Sequence, residues 1–448
     1  MSRDTGLTYR QINDDIIGVG RRVGLAWWIV LGLDLCVLAF GLGCFVYQVV
    51  NGLGTTGYTR PAMWAVYITN FVFWVGIAHS GTLISAILFL FRAGWRQAIY
   101  RVSEAMTVFA VMTAGLFPLI HLGRIWFFYW LIPYPNQRNI WVNFRSPLIW
   151  DVFAVSTYFT VSAIFFFVGM IPDIAAMRDR ETGLRKKVYT LLALGWRGSS
   201  RNWKHYAQTY LYFAAFATPL VLSVHSVVSW DFAMALNPGW HSTIFAPYFV
   251  AGAIFSGMAL VVTLIVPLRK AFKLEAYITD WHFDAMAKLI LLTGNIVTYS
   301  YLVEFFIAWY SGNPAEQHAF WDRAFGPMGW AFWVMATCNC IIPQLLWSRR
   351  NRTHIPTLYA ITLLVNVGMW FERFVIIVQS LNANFDPWMW RAGYKPTIVE
   401  YGITAGAFAW FFMYFLLFVR FLPTFSITEL KEILPRPWRR RNAKEKAA

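Results

Sequence analysis

Charged side chains are scarce in this 448-residue chain, at 13% against 58% hydrophobic, and cysteine is scarcer still, with four residues. A water-facing surface draws on roughly a quarter charged residues, so a soluble globular protein is excluded. The cysteines, Cys36, Cys44, Cys338 and Cys340, form no C-x-x-C and no C-x-x-C-H. Neither covalent haem nor an iron–sulfur cluster is therefore expected in this chain, and the thiols are expected to be inert packing groups. A short apolar leader is also missing. The first residues carry both signs of charge and the first apolar run is too long for a signal-peptide core, so no cleavable signal is expected.

What is present is long apolar runs. Ten of them, at about 23–50, 62–91, 104–130, 148–171, 206–230, 245–268, 283–309, 327–347, 355–378 and 398–421, are long enough to cross ~30 Å of hydrocarbon as helices. Their apolarity is continuous rather than alternating, which selects helices over a barrel. The expected fold is an all-α integral membrane protein of about ten transmembrane helices. Residues 1–22 form a first cytoplasmic segment, 23–421 the transmembrane domain and 422–448 a basic tail. The net charge of +16 is unevenly distributed: 29 of the 38 Lys and Arg lie on the side holding both termini and seven on the other. The positive-inside rule puts both termini in the cytoplasm, and the tail RPWRRRNAKEK reads as an anchor to anionic headgroups rather than a nucleic-acid site. The connection 172–204 carries many charges and could form a surface helix at the interface. The loop LIPYPNQRNIWVNFRSP, rich in Pro, Asn and aromatics, reads as a docking surface on the outward side.

The chain also repeats itself. G-I-A-H-S-G at 76–81 is matched by G-A-I-F-S-G at 252–257, Glu104-Ala105-Met106 by Asp284-Ala285-Met286, and P-L-I-W-D at 147–151 by P-M-G-W-A at 327–331. Three matches in one order imply two parallel-repeat four-helix bundles, about 62–230 and 245–378, plus two additional helices. In this register His121 corresponds to Tyr301, Arg124 to Glu304, Asp151 to Ala331 and His79 to Phe255. The second copy lacks the histidines and the carboxylate, so a polar site is expected in the first.

Ionisable groups in apolar helices are costly and mark functional positions. His121 and Arg124, one turn apart on the third run, and Asp151 near the start of the fourth fall at one depth near the outward face. That set suits a quinol headgroup, which needs hydrogen-bond partners for two hydroxyls and bases to take its protons. His121 and Asp151 are the candidate catalytic pair. Arg124, His225 and Asp231 are candidate binding residues, with Phe117, Trp126, Phe127, Phe128 and Trp150 available to flank a ring. The plainer alternative is that His121 and Asp151 fasten two helices while Arg124 anchors at the interface. Asp34, His79 and Glu104 lie deeper and are candidates for a proton path. Glu372 and Arg373, with Lys288 and Glu304, read as scaffolding ion pairs. His121 and His225 could instead ligate a b-type haem, and a secondary transporter is a rival class, since parallel repeats and buried charges serve transport too.

The segments NFVFWVGIAHSGTLISAILFLFR, FPLIHLGR, WLIPYPNQR and FRSPLIWDVFAVSTYFTVS resemble the NrfD/PsrC (polysulfide reductase NrfD) membrane subunits, and among these the ActC type of bacterial alternative complex III. The resemblance covers nearly the whole chain. It implies a ten-helix subunit of a respiratory oxidoreductase in the bacterial inner membrane, without a redox metal of its own, that oxidises menaquinol or ubiquinol near the outward face. The implied partners are an ActB-like iron–sulfur protein, an ActF-like second NrfD subunit, multihaem cytochrome c subunits and a terminal oxidase. The family's pocket His and Asp fall on His121 and Asp151, Arg124 and Asp231 are weaker carry-overs, and Asp34 and His79 are implied in proton translocation. The same resemblance admits a membrane anchor for a polysulfide or nitrite reductase.

Overall fold

The computed structural model describes residues 8–21, 24–131, 146–383 and 393–432. The loop motif PYPNQR and most of the basic tail lie outside these residues. Among them are ten helices long and apolar enough to span a membrane: α2 (Leu25–Asn51), α3 (Val66–Leu90), α4 (Tyr100–His121), α5 (Pro147–Arg178), α7 (Ser200–Ala233), α8 (Phe245–Phe272), α9 (Asp280–Tyr310), α11 (Gly329–Trp347), α12 (Ile355–Asn382) and α13 (Ile398–Phe421). Shorter helices among the described residues include α1 (Tyr9–Arg21), α6 (Gly183–Leu192), α10 (Pro314–Phe325) and α14 (Ile427–Glu432). No strand occurs among the described residues, and the protein is an all-α, multi-pass membrane protein.

The ten runs read from hydropathy match these helices, with one informative departure. The third run continues in sequence to residue 130, yet α4 ends at His121, because Gly123 adopts φ +68° and the chain re-forms as a 3-10 turn at Ile125–Leu131. A left-handed glycine stops a helix without strain. Elsewhere polar caps set the starts: Ser199 accepts from the Asn202 amide, and Thr279 and Thr397 form capping boxes with His282 and Glu400. α1 was not expected. It presents Ile12, Ile16, Ile17 and Val19 to the core, packing on α13 and α14.

Helices α3, α4, α5 and α7 pack on one another, as do α8, α9, α11 and α12. The two sets meet where α3 lies against α8. The seam is close because it is built on small residues: a Cβ on Gly257 would lie 2.2 Å from Ser80 Oγ and 2.6 Å from Ile77 O. α2 and α13 pair outside both sets through a G-x-x-x-G at Gly402 and Gly406, where a Cβ on Gly41 would fall 2.5 Å from Gly406 Cα. Apart from Leu31 and Gln48, which are buried, α2 leaves most of its side chains partly or fully exposed, including Leu33, Val46 and Val50. Of the four cysteines only Cys338 is buried; Cys36 is exposed on α2, so the packing role expected for all four fails there.

Three spans contain π-turns, Leu83–Ile87 in α3, Thr337–Ile341 in α11 and Val375–Gln379 in α12. Each inserts an extra residue next to buried polar side chains and re-aims the helix face there.

Candidate functional site

At the end of the molecule opposite the termini, a cavity of about 400 Å³ opens between α5 and α7. Its walls include Arg60, Trp64, Leu148, Trp230, Asp231 and Trp240. Trp64 sits 6.0 Å from Trp240 and 6.1 Å from Phe232, ring centre to ring centre. The volume and the mix of aromatic walls with a few polar groups suit a flat, mostly apolar ligand. Asp151, one turn along α5 from Leu148, is buried and neighbours the partly exposed Asp231 of α7. Two carboxyls held side by side away from bulk water repel when both are charged, so a neighbouring pair of this kind is suited to taking up a proton. Asp231 therefore lies within its helix, on the cavity wall beside Asp151, rather than in solvent beyond the helix end.

His121 has different company. Its Nδ1 lies 3.0 Å from the Tyr58 hydroxyl, within a polar group at the same end formed by Gln48, Tyr67, Tyr394 and Glu400. Gln48 Nε2 donates to Ile120 O at 3.1 Å, and the Tyr67 hydroxyl donates to Gln48. His121 and Asp151 thus have separate partners, and the loop that holds Tyr58 on His121 continues into Arg60 and Trp64 on the cavity wall. Arg124 is exposed, and because α4 stops before it, it does not extend the helical face of His121. The expected i, i+3 pair is not formed for that reason.

His225 is not part of the cavity either. It is fully buried on α7 with its ring centre 4.6 Å from that of His79 on α3, which stacks on Tyr158 at 4.9 Å. The short contact of His79 Nδ1 to Val75 O, 2.5 Å, fixes the proton on Nδ1, since a carbonyl only accepts. That leaves His79 Nε2 and both nitrogens of His225 without hydrogen-bond partners among the described residues. Such orphan atoms in the interior of a bundle mark places where water or a mobile proton completes the bonding. Glu104 lies in another group, hydrogen-bonded by the Tyr210 hydroxyl at 3.2 Å and 3.8 Å from Arg101, which pairs with Asp173 at 3.1 Å. Between these groups, Thr107 donates to Ala78 O at 2.7 Å and the Tyr158 hydroxyl meets Thr82 at 2.7 Å. Asp34 stands apart on the peripheral α2, partly exposed, so the three residues grouped from sequence do not form one array.

A family model described as polysulphide reductase, NrfD, matches residues 54–383. The chain belongs to the NrfD family. Its similarity extends to a putative dimethyl sulfoxide reductase membrane subunit of Halobacterium salinarum, 27% identical over 90% of this chain and 92% of the relative. A selenate reductase subunit of Mesobacillus selenatarsenatis is 21% identical over 88% and 94%, respectively. An Hdr-like menaquinol oxidoreductase integral membrane subunit of Archaeoglobus fulgidus is 20% identical over 68% and 67%. The NrfD match takes in both four-helix sets and the loops bearing Tyr58 and Arg60, and leaves out α2 and α13.

The second helix set of this NrfD chain holds buried charged groups of its own, in the region where scaffolding ion pairs were expected. Glu304, Arg323, Glu372 and Arg373 are all buried there. Tyr301 donates to Glu372, Asn339 Nδ2 donates to the Tyr301 hydroxyl at 2.9 Å, and Glu304 lies 3.7 Å from Arg323. Arg323, on α10 outside the spans, also donates to Gly239 O and Ser380 Oγ at 2.7 Å each, and burial pushes its guanidinium below the ordinary value. Lys288 was expected among these pairs but is exposed and bonds Asp284 at 2.6 Å. The two sets are joined at Arg373. Cβ atoms on the repeat-related Gly76 and Gly252 would lie 3.9 and 3.3 Å from its Nη2, and His225 Cε1 would be 3.6 Å from the first. The sequence signal for this junction was present in the two matched glycines, which identify a close approach; Tyr58, Gln48 and Glu400 gave none, because their partners are separated by tens to hundreds of residues.

Proposed function

We propose that the chain is the quinone-reactive membrane subunit of a multisubunit oxidoreductase in a bacterial cytoplasmic membrane, with both termini in the cytoplasm, and that it oxidises quinol in the cavity between α5 and α7. The observation that carries this reading is the pairing of buried Asp151 with Asp231 at the wall of an aromatic cavity. A quinol that loses two electrons releases two protons. The carboxyl pair is assigned as one proton acceptor, and His121, set by Tyr58, as the second. Trp64 and Trp230 would sandwich the ring, and Arg60 would guard the entrance. No redox group is assigned to this chain. The electrons would leave to an ActB-like iron–sulfur subunit docked at the same end, with an ActF-like subunit and multihaem cytochromes as partners in an alternative complex III assembly.

A second reading of the assembly has its own support. Two relatives carry the names of dimethyl sulfoxide and selenate reductase subunits, which favours a complex that feeds quinol electrons to a terminal reductase. The alternative complex III type rests on the resemblance of the segments around His121 and Asp151. Menaquinol is the first substrate to try, given the relative named a menaquinol oxidoreductase. For proton translocation, the arrangement favours Glu104, Thr107, Tyr158, His79 and His225 in that order over a route through Asp34.

Asp151→Asn and Asp231→Asn in the assembled complex should each lower menaquinol–acceptor turnover by roughly 100-fold or more, the scale of lost proton transfer. The amount of assembled complex, measured on the same membranes, should not change. Wild-type turnover in a fully assembled variant would reject the site. Comparing a c-type cytochrome with dimethyl sulfoxide and selenate as acceptors distinguishes the two assemblies.

A further inference from the structure

Residues 183–204 contain Arg185, Lys186, Lys187, Arg197, Arg201 and Lys204 and no Asp or Glu. All six cations are exposed, and none forms an ion pair among the described residues. The neighbouring cations are used differently: Arg178 pairs with Asp179 at 2.8 Å, and Arg180 pairs with Asp14 at 2.5 Å. In the same segment α6 exposes Leu184 by 76%, Val188 by 45% and Leu191 by 75%, and Leu194 follows at 67%. Spacings of four and three put the first three on one helical face. On its other side α6 is fastened, since Tyr189 is buried and its hydroxyl donates to Phe421 O at 2.8 Å. Trp196 and Trp203 close the segment edge to face at 5.0 Å.

The depth of this face follows from helix length. α5 and α7 have 32 and 34 residues, against about 20 needed to cross hydrocarbon. Their polar surplus lies at the termini end, at Asp173 to Arg178 and Ser200 to His205. α6 joins those overhanging ends and so sits level with lipid headgroups.

We propose that α6 and the turn after it form a binding surface for anionic phospholipid, with Leu184, Val188 and Leu191 dipping between acyl chains and the six cations holding phosphodiester groups. A phosphate neutralises cations that nothing among the described residues neutralises, and leucines beside them gain more from lipid than from water. An acidic cytoplasmic protein could use the same charges and is the competing occupant.

The test is hydrogen–deuterium exchange of the full chain in nanodiscs of phosphatidylcholine alone or with one quarter phosphatidylglycerol. Peptides covering 183–194 should exchange roughly tenfold more slowly with the anionic lipid, and the protection should disappear in R185Q/K186Q/K187Q and in 0.5 M NaCl. L184S/L191S should weaken it as well. Exchange in α3 and α8 unchanged from wild type shows that each variant is folded. Equal exchange in both nanodiscs, or protection that survives the triple substitution, overturns the proposal. So does protection that appears only in the intact multisubunit complex, which would make the face a protein contact.

Discussion

Arg323 and Glu304 illustrate what a single buried charge costs in this protein. Each is nearly inaccessible, and they lie 3.7 Å apart; Arg323 donates further hydrogen bonds to Gly239 O and Ser380 Oγ, while Glu304 Oε1 has no partner among the described residues. Removing the cation alone strands a carboxylate, whereas removing both leaves a polar but neutral site. Arg323→Met should therefore destabilise the protein by about 3–5 kcal/mol, and Glu304→Gln added to it should recover part of the loss. Thermal unfolding in a fixed detergent measures both; equal stability of the single and double variants would show that the pair is not coupled. At His79 the prediction concerns function. The repeat has Phe255 at the equivalent position, so His79→Phe fits the helix but removes the imidazole facing His225. Quinol turnover should persist in that variant while proton uptake by proteoliposomes falls at least tenfold if the histidines carry protons. Undiminished uptake would remove them from the route.

The helices respond to their close contacts. Gly406→Leu places a side chain where Gly41 Cα already stands, so α2 and α13 should separate and the protein should lose these two spans to protease or detergent before the rest. Limited proteolysis checks this, with Gly24→Leu, which meets open space, as the control. α14 offers a pH reading. Its Glu429 pairs with Arg96 at 2.8 Å, yet burial pushes the carboxyl above its ordinary value. A carboxyl raised in the folded state favours folding at low pH and withdraws that contribution as pH rises through its folded value. Docking of α14 should thus loosen between mildly acidic and alkaline pH, as seen by exchange of residues 424–432; faster exchange at the acidic end would reverse the sign. Spans such as α2 and α8 were legible because hydrocarbon demands length and apolarity and little else. The end of α4 was not, since one glycine dihedral overrode a continuing apolar run. Nor was the partnering of His225 with His79 rather than with Asp151, which is set by how α3 and α7 face each other. Asp151 and Asp231 were legible as candidates singly. Their proximity to each other required the packed helices.

For the whole molecule, two four-helix sets joined at Arg373 form the part matched by the family, and the α2–α13 pair is added outside them. The junction predicts communication between the sets. Arg373→Leu should disturb the His79–His225 pair as well as Glu372, so its effect on quinol turnover and proton uptake together should exceed that of a substitution confined to either set, such as Asn339→Leu. Equal effects would argue for two independent halves. The α2–α13 contact also has a consequence in time. The first span emerges from the ribosome hundreds of residues before the helix that holds it, and until α13 arrives its glycine face has only lipid to meet. α2 must wait in the bilayer through the insertion of eight other spans, so completion of the last helix is the event that closes the protein.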